Sequence, residues 1–134
     1  MDGRGGVVVE KDDLGPDSLK GLEVWNEAME LVKDVYGLVR NWPAEELYGL
    51  TSQARRAAIS VPANLAEGVG RGTPGEKSRF AHTALGSLYE LDTLIQLAGR
   101  LGYSAPKVIE EIRSRIIALV KRLQMYVRYQ EGRR

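Results

Sequence analysis

The chain has 134 residues, of which 43% are hydrophobic and 28% charged, and its formal net charge is +1. This length suits one domain with a core of its own. Cysteine is absent, which excludes disulfide bonds and thiolate metal sites and favours a reducing compartment. No apolar run approaches the ~18 residues of a membrane span, and no signal-peptide pattern follows Met1, so we expect a cytoplasmic protein.

Charge is unevenly distributed along the chain. Residues 1–46 hold 11 acidic and 5 basic residues, whereas residues 47–134 hold 7 acidic and 14 basic residues. Such asymmetry can indicate a nucleic-acid partner. It would equally arise if the two halves attracted each other, within one chain or between subunits.

The N-terminal residues 1–18 mix glycine, proline and acidic residues without a helical period, which predicts a mobile arm. A first helix is predicted over residues 22–40, with an exposed acidic face and two apolar lines. The first line is Leu22, Trp25, Met29, Val32, Tyr36 and Val39, and the second is Val24, Ala28, Leu31, Val35 and Leu38. This much apolar surface indicates a helix that is central in a bundle or contacts another subunit.

The second helix is predicted over residues 50–67 and carries a face of small residues. Pro62 would either kink this helix or begin a new helical segment. Gly68 is the predicted C-terminal stop. Beside the small face runs a polar line of Gln53, Arg56, Ser60, Asn64 and Glu67.

Two longer helices are predicted over residues 74–101 and 105–129, and residues 131–134 form a frayed tail. Thr73, Pro74 and Glu76 match a capping box at the start of the third helix. Asp92 falls at the edge of the apolar face of that helix and should need a partner. Four helices with short connections predict an all-α, antiparallel up-and-down four-helix bundle over residues 19–130. The surplus apolar surface of the first helix favours self-association.

The segments LEVWNEAMEL (22–31), YGLTSQARRAAISVPANLAEGVGR (48–71) and ALGSLYELDTLIQLAGRLGY (84–103) carry a family resemblance. The chain from about Leu22 to Tyr103 resembles the four-helix-bundle proteins of the 23S rRNA intervening-sequence type. The resemblance implies a four-helix bundle that assembles into a ring-shaped homopentamer. It also implies kinship with the accessory variability determinant of diversity-generating retroelements, which works with a reverse transcriptase and contacts nucleic acid.

Seven basic residues are candidates for binding a nucleic-acid backbone, because arginine forks and lysine charges suit phosphate. They are Arg55, Arg56, Arg71, Arg113, Lys121, Arg122 and Arg128. The alternative is that these residues pair with acidic residues such as Glu67 or Asp92, or with a neighbouring subunit. A structural polar network of Arg56, Asn64, Glu67 and Arg71 is a related prediction.

Nothing in the sequence predicts a catalytic, cofactor or metal site. The glycine-rich stretch 68–75 lacks the GK[ST] ending of a phosphate-binding P-loop. His82 is the only histidine and has no carboxylate at a metal-binding spacing. Glu67, Glu90 and Asp92 could serve acid–base chemistry, but no nucleophile stands with a base at a recognisable spacing. We therefore expect no enzyme activity.

Two functional hypotheses follow. The first is a non-enzymatic homo-oligomer that binds RNA or DNA backbone through basic surfaces, as an accessory to an enzyme such as a reverse transcriptase. The second is a scaffold for a protein partner that ignores nucleic acid, with the charge asymmetry holding the subunits together.

Overall fold

The computed structural model describes residues 16–133, except for the side chains of Pro16, Asp17 and Gly21. This part of the chain forms four α-helices and contains no strand. Helix α1 spans Glu23–Val39, α2 spans Leu50–Arg71, α3 spans Pro74–Arg100 and α4 spans Pro106–Glu131. Short 3-10 helices occupy Pro16–Gly21 and Ala44–Glu46. The prediction of an all-α fold with four helices is confirmed, while the predicted ring is not tested by a single chain and stays a prediction.

The predicted segments at the two ends of the chain differ from the observed elements. The predicted arm at residues 1–18 lies mostly outside the described residues, but its last three residues belong to the 3-10 helix Pro16–Gly21. Of the predicted frayed tail at residues 131–134, Glu131 belongs to α4, and residue 134 lies outside the described residues.

Consecutive helices pack side by side, and α1 also packs on α4, which closes the bundle. Within the described chain α1 makes no packing contact with α3, nor α2 with α4, so these pairs occupy opposite corners. The packing of α2 on α3 is the most extensive and that of α1 on α4 the least. A cleft of about 560 Å³ lies along the α1–α4 seam, with Leu31 and Leu119 among the residues that line it.

The core side of α1 is its second apolar line. Val24, Ala28, Leu31 and Val35 are buried there, whereas Met29 of the first line is 42% exposed. Periodicity alone predicted two apolar lines, and the packing of α2 and α4 determines which one is covered. The first line is left partly exposed except for Val39, which is buried, and its Tyr36 contacts Arg55 of α2.

Helix α2 is continuous through Pro62, which is buried, so Pro62 does not begin a new helix. The helix also ends four residues later than predicted, at Arg71, because Gly72 supplies the positive φ of 87° that terminates it. Gly68 has a different role. A Cβ at Gly68 would lie 3.1 Å from the Cα of Lys77 and 3.3 Å from the carbonyl oxygen of Glu76, so the glycine permits close approach of α3.

The capping box of α3 is present as predicted, since the Glu76 N–H donates to Thr73 Oγ1 at 3.1 Å. None of the helices in residues 16–133 combines the length and apolar character needed to cross a membrane.

The end of the bundle that contains the α1–α2 and α3–α4 connections is held together by side chains from both. Trp42 Nε1–H donates to Ser104 Oγ at 3.0 Å. The Tyr103 hydroxyl donates to Glu46 Oε2 at 2.8 Å, and the Leu50 N–H donates to Glu46 Oε1 at 3.0 Å. The bonds of Trp42 and Tyr103 join the α1–α2 connection to the α3–α4 connection, and the Leu50 bond fixes the Glu46 side chain at the start of α2.

Candidate nucleic-acid interface

The seven candidate basic residues lie on α2 and α4, which occupy opposite corners of the bundle. They therefore do not form one surface in a single chain. Their surroundings divide them into those that already have a carboxylate partner and those that do not.

Arg113 of α4 is held by Asp92 of α3. Its Nε donates to Asp92 Oδ1 at 2.7 Å and its Nη2 donates to Asp92 Oδ2 at 3.1 Å, a bidentate arrangement. These hydrogen bonds raise the pKa of Arg113 above its ordinary value. Gln96 donates to the same carboxylate at 2.8 Å. The pair supplies the partner that Asp92 was expected to need, and it removes Arg113 from the free cationic surface.

Arg122 of α4 is paired with Glu27 of α1, and seven residues earlier Arg115 is paired with Asp34. The same interval of seven separates the two carboxylates, so matched pairs recur after two turns along the antiparallel seam. The acidic face of α1 thus meets one basic side of α4 within the chain. At these positions the acidic residues of α1 and the basic residues of α4 neutralise each other within one chain.

Arg71 at the end of α2 is paired with Glu67 at 3.2 Å, one turn away. Its guanidinium also lies 5.2 Å from the centroid of Phe80, whose ring has Arg79 at 4.3 Å. Cation–π contacts of this kind orient the guanidinium against the ring. The Arg71 side chain is therefore positioned by two partners, although half of it remains exposed.

The predicted polar network is only partly assembled. Glu67 and Arg71 are together, but Asn64 donates instead to the carbonyl oxygen of Ser60 at 2.8 Å and to its Oγ at 2.9 Å. Ser60 Oγ in turn lies 2.7 Å from Ser87 Oγ of α3. Arg56 is exposed and joins none of these groups. Within the polar line of α2, the contact to α3 is therefore made by the Ser60 hydroxyl, while Glu67 pairs along α2 itself.

Arg55 differs from its neighbour Arg56. Its guanidinium lies 5.1 Å from the centroid of the Tyr36 ring on α1. Its Nε is buried and has no hydrogen-bond partner within residues 16–133. The side chain is thus half-buried in the α1–α2 seam, with one donor unsatisfied.

Four candidates have no ion pair in the described part of the chain: Arg55, Arg56, Lys121 and Arg128. Lys121 and Arg128 are both exposed and stand seven residues apart on α4. Two turns of helix place them on the same side, about 10 Å apart along the axis. They are the exposed bases of α4 best placed to meet a polyanion.

A further group of polar side chains joins the start of α3 to the end of α4. The buried Ser78 hydroxyl donates to Glu131 Oε2 at 3.1 Å, and His82 Nε2 lies 3.4 Å from the same oxygen. The Ser78 hydroxyl thus donates to a carboxylate and not to the imidazole. Among the described residues no three acidic or histidine side chains are grouped to hold a metal ion.

Sequence reasoning missed the cluster of Trp42, Glu46, Tyr103 and Ser104. The hydrogen bonds from the Leu50 N–H and from Tyr103 lower the pKa of Glu46 below its ordinary value. The same contact raises the pKa of Tyr103. Glu46 and Tyr103 are 57 residues apart in sequence, and Trp42 and Ser104 are 62 residues apart, so no local spacing could have indicated these pairs.

Comparison with known proteins yields one family. The family model described as 23S rRNA-intervening sequence protein matches residues 20–125, which include all of α1, α2 and α3 and most of α4. No curated protein matches the chain.

Proposed function

We propose that this chain, which belongs to the 23S rRNA-intervening sequence protein family, is a non-enzymatic homo-oligomer that binds the backbone of RNA or DNA. The family description supports a link to RNA. The exposed bases of α4 support contact with phosphate. A ring of five subunits is the assembly that the family resemblance implies. Such an assembly would act beside a nucleic-acid enzyme, of which a reverse transcriptase is one example.

The observation that carries the proposal is the pair Lys121 and Arg128. Both are exposed on α4, and neither has a carboxylate partner within residues 16–133. Arg113 and Arg122 of the same helix are already neutralised by Asp92 and Glu27. A phosphate that approached those two arginines would have to compete with an existing ion pair. Binding of a phosphate to Lys121 and Arg128 breaks no ion pair of residues 16–133.

Two phosphate contacts from one chain would give weak binding. In a homo-oligomer the same pair recurs in every subunit, so that one long polyanion meets several pairs and binding becomes multivalent. Affinity should then fall steeply with salt. The slope of log K against log salt changes by about −0.7 for each phosphate contact to a single strand.

The test is a titration of fluorescently labelled single-stranded RNA and DNA with the purified protein, read by anisotropy across a range of salt. The double variant Lys121→Glu/Arg128→Glu should lose most of the affinity and show a shallower salt slope. The control Arg40→Glu/Arg100→Glu changes the net charge equally at two other exposed bases and should retain more affinity. Equal loss in both would mean that overall charge, not this surface, governs binding, and no binding by wild-type protein at low salt would refute the proposal.

The second candidate function is a scaffold for a protein partner. The intramolecular pairs of Arg113, Arg122 and Arg71 favour it, because they reduce the cationic surface that nucleic acid could use. This alternative predicts an oligomer that ignores RNA and DNA at every salt concentration.

A further inference from the structure

The partly exposed line of α1 forms an apolar surface with part of α2. We call it the α1 face; it consists of Trp25, Met29, Val32 and Tyr36 of α1, and we add Ile59 of α2 because it lies one turn after Arg55, whose guanidinium contacts Tyr36. Met29 and Ile59 are each 42% exposed. On α1 the face extends from Trp25 to Tyr36, whose Cα atoms lie about 16 Å apart along the helix axis.

A charged group lies within this surface. Arg55 lies over Tyr36, and its buried Nε has no acceptor within the described residues. A buried donor normally has a partner, so a missing acceptor indicates a group supplied from elsewhere. The chemistry of guanidinium favours a carboxylate or phosphate. The apolar surroundings favour a carboxylate carried on an apolar protein surface over a hydrated nucleic-acid backbone.

The outward side of α3 offers such a surface. We call it the α3 face; it consists of Gly86, Tyr89, Glu90, Thr93 and Leu97. Tyr89 is 59% exposed and Leu97 is 44% exposed. Glu90 is the α3 carboxylate without a cationic partner in residues 16–133, since Glu76 pairs with Arg79 and Asp92 with Arg113. This face extends from Gly86 to Leu97, about 16 Å along the helix axis, which matches the α1 face in length.

Gly86 adds an independent observation. A Cβ at this position would meet no atom within 4 Å, and the residue is exposed in the middle of α3. Glycine in a helix interior lowers helix stability, and no contact within the described chain requires it here. A glycine beside exposed apolar side chains allows another helix to approach closely.

The two faces point to different sides of the bundle, because α1 and α3 occupy opposite corners and do not pack on each other. We propose that the α1 face of one subunit receives the α3 face of the next, with Arg55 donating to Glu90 of that second copy. This inference rests on the homo-oligomer in the proposed function and specifies its interface. Contacts between unlike faces are heterologous, and they generate closed rings when the rotation closes.

The test uses two variants that each block one face. Met29→Glu places a charge in the α1 face, and Gly86→Arg places a long side chain in the α3 face, where the isolated chain has open space. Each variant alone should be a monomer by sedimentation velocity. Mixed in equal amounts they should form a 1:1 heterodimer, because one intact α1 face and one intact α3 face remain. Met125→Glu and Gly37→Arg are matched controls on exposed positions outside both faces and should assemble like wild type.

Each result has a separate meaning. A monomeric wild-type protein would refute the oligomer in the proposed function. A wild-type oligomer whose two blocked variants still assemble would overturn this inference alone. If one blocked variant formed a homodimer by itself, the contact would join like faces and the heterologous pairing would be wrong. Circular dichroism of each variant establishes that it is folded.

A charge exchange tests the polar contact independently. Arg55→Glu and Glu90→Arg should each weaken self-association by about tenfold or more, and the double variant should recover most of that loss, as expected for a coupled charge pair. A double variant as weak as the sum of the single changes would exclude Glu90 as the acceptor.

Discussion

Replacing Gly68 with alanine tests the closest approach between two helices of the bundle. The new methyl group would lie 3.1 Å from the Cα of Lys77, 3.1 Å from the Cβ of Phe80 and 3.3 Å from the carbonyl oxygen of Glu76. Two of these three atoms are backbone, so a side-chain rotation cannot relieve the contact. The backbones of α2 and α3 must instead move apart by a few tenths of an ångström at this point.

The magnitude follows from two opposing effects. Inserting a methyl group into a packed site costs about 1–3 kcal/mol. Exchanging glycine for alanine inside a helix returns about 0.5–1 kcal/mol. We therefore expect Gly68→Ala to lower the free energy of unfolding by about 1 kcal/mol, since the difference between these effects runs from about 0 to 2.5 kcal/mol.

Gly70→Ala provides the matched control two residues along the same helix. A Cβ there meets nothing within 4 Å, so only the helix effect operates and the variant should be more stable by about 0.5–1 kcal/mol. Urea unfolding at one fixed protein concentration, followed by far-ultraviolet circular dichroism, measures both variants. If Gly68→Ala were as stabilising as Gly70→Ala, the close approach of α2 and α3 would not exist.

Two further predictions concern ionised groups. The pKa of Glu46 is lowered in the folded protein, so its contribution to stability is present above the pKa of the unfolded chain and is lost as the pH falls through the lower folded value. Urea unfolding at several pH values should show that Glu46→Gln removes part of this acid dependence, and an unchanged profile would contradict the role of the carboxylate. Arg113→Gln breaks a bidentate pair whose Asp92 side chain is only 19% exposed, and it should cost about 1–2 kcal/mol after allowance for solvent screening. Arg122→Gln removes a more exposed pair and should cost less than about 1 kcal/mol in the same urea experiment, so similar losses in the two variants would refute the distinction.

The sequence predicted the number and order of the helices because each one buries a stripe with the helical period. It also predicted the Thr73 cap, since a capping box depends only on residues within one turn. It could not rank the two apolar lines of α1. Both have the helical period, and only the positions of α2 and α4 determine that Val24, Ala28, Leu31 and Val35 face inward.

The end of α2 and the ion pairs of the candidate site could not be predicted for the same reason, because they too depend on which helices are neighbours. Gly68, Gly70 and Gly72 are equally able to stop a helix, and the stop falls at Gly72 while contact with α3 occupies Gly68. Likewise, the sequence indicated that Asp92 needs a partner without identifying Arg113. The pairing of Arg122 with Glu27 depends on which helices are neighbours and on their relative register.

The loose seam between α1 and α4 has a consequence for the order in which the bundle opens. Its two sides come from the first and last helices, so the contacts there join residues about 90 positions apart and carry the largest loop-closure cost in the fold. The α2–α3 hairpin, by contrast, is local in sequence and has the most extensive packing. Native-state hydrogen exchange would therefore find the amides of α1 in a separate, less protected cooperative unit, which detaches while the α2–α3 hairpin remains folded.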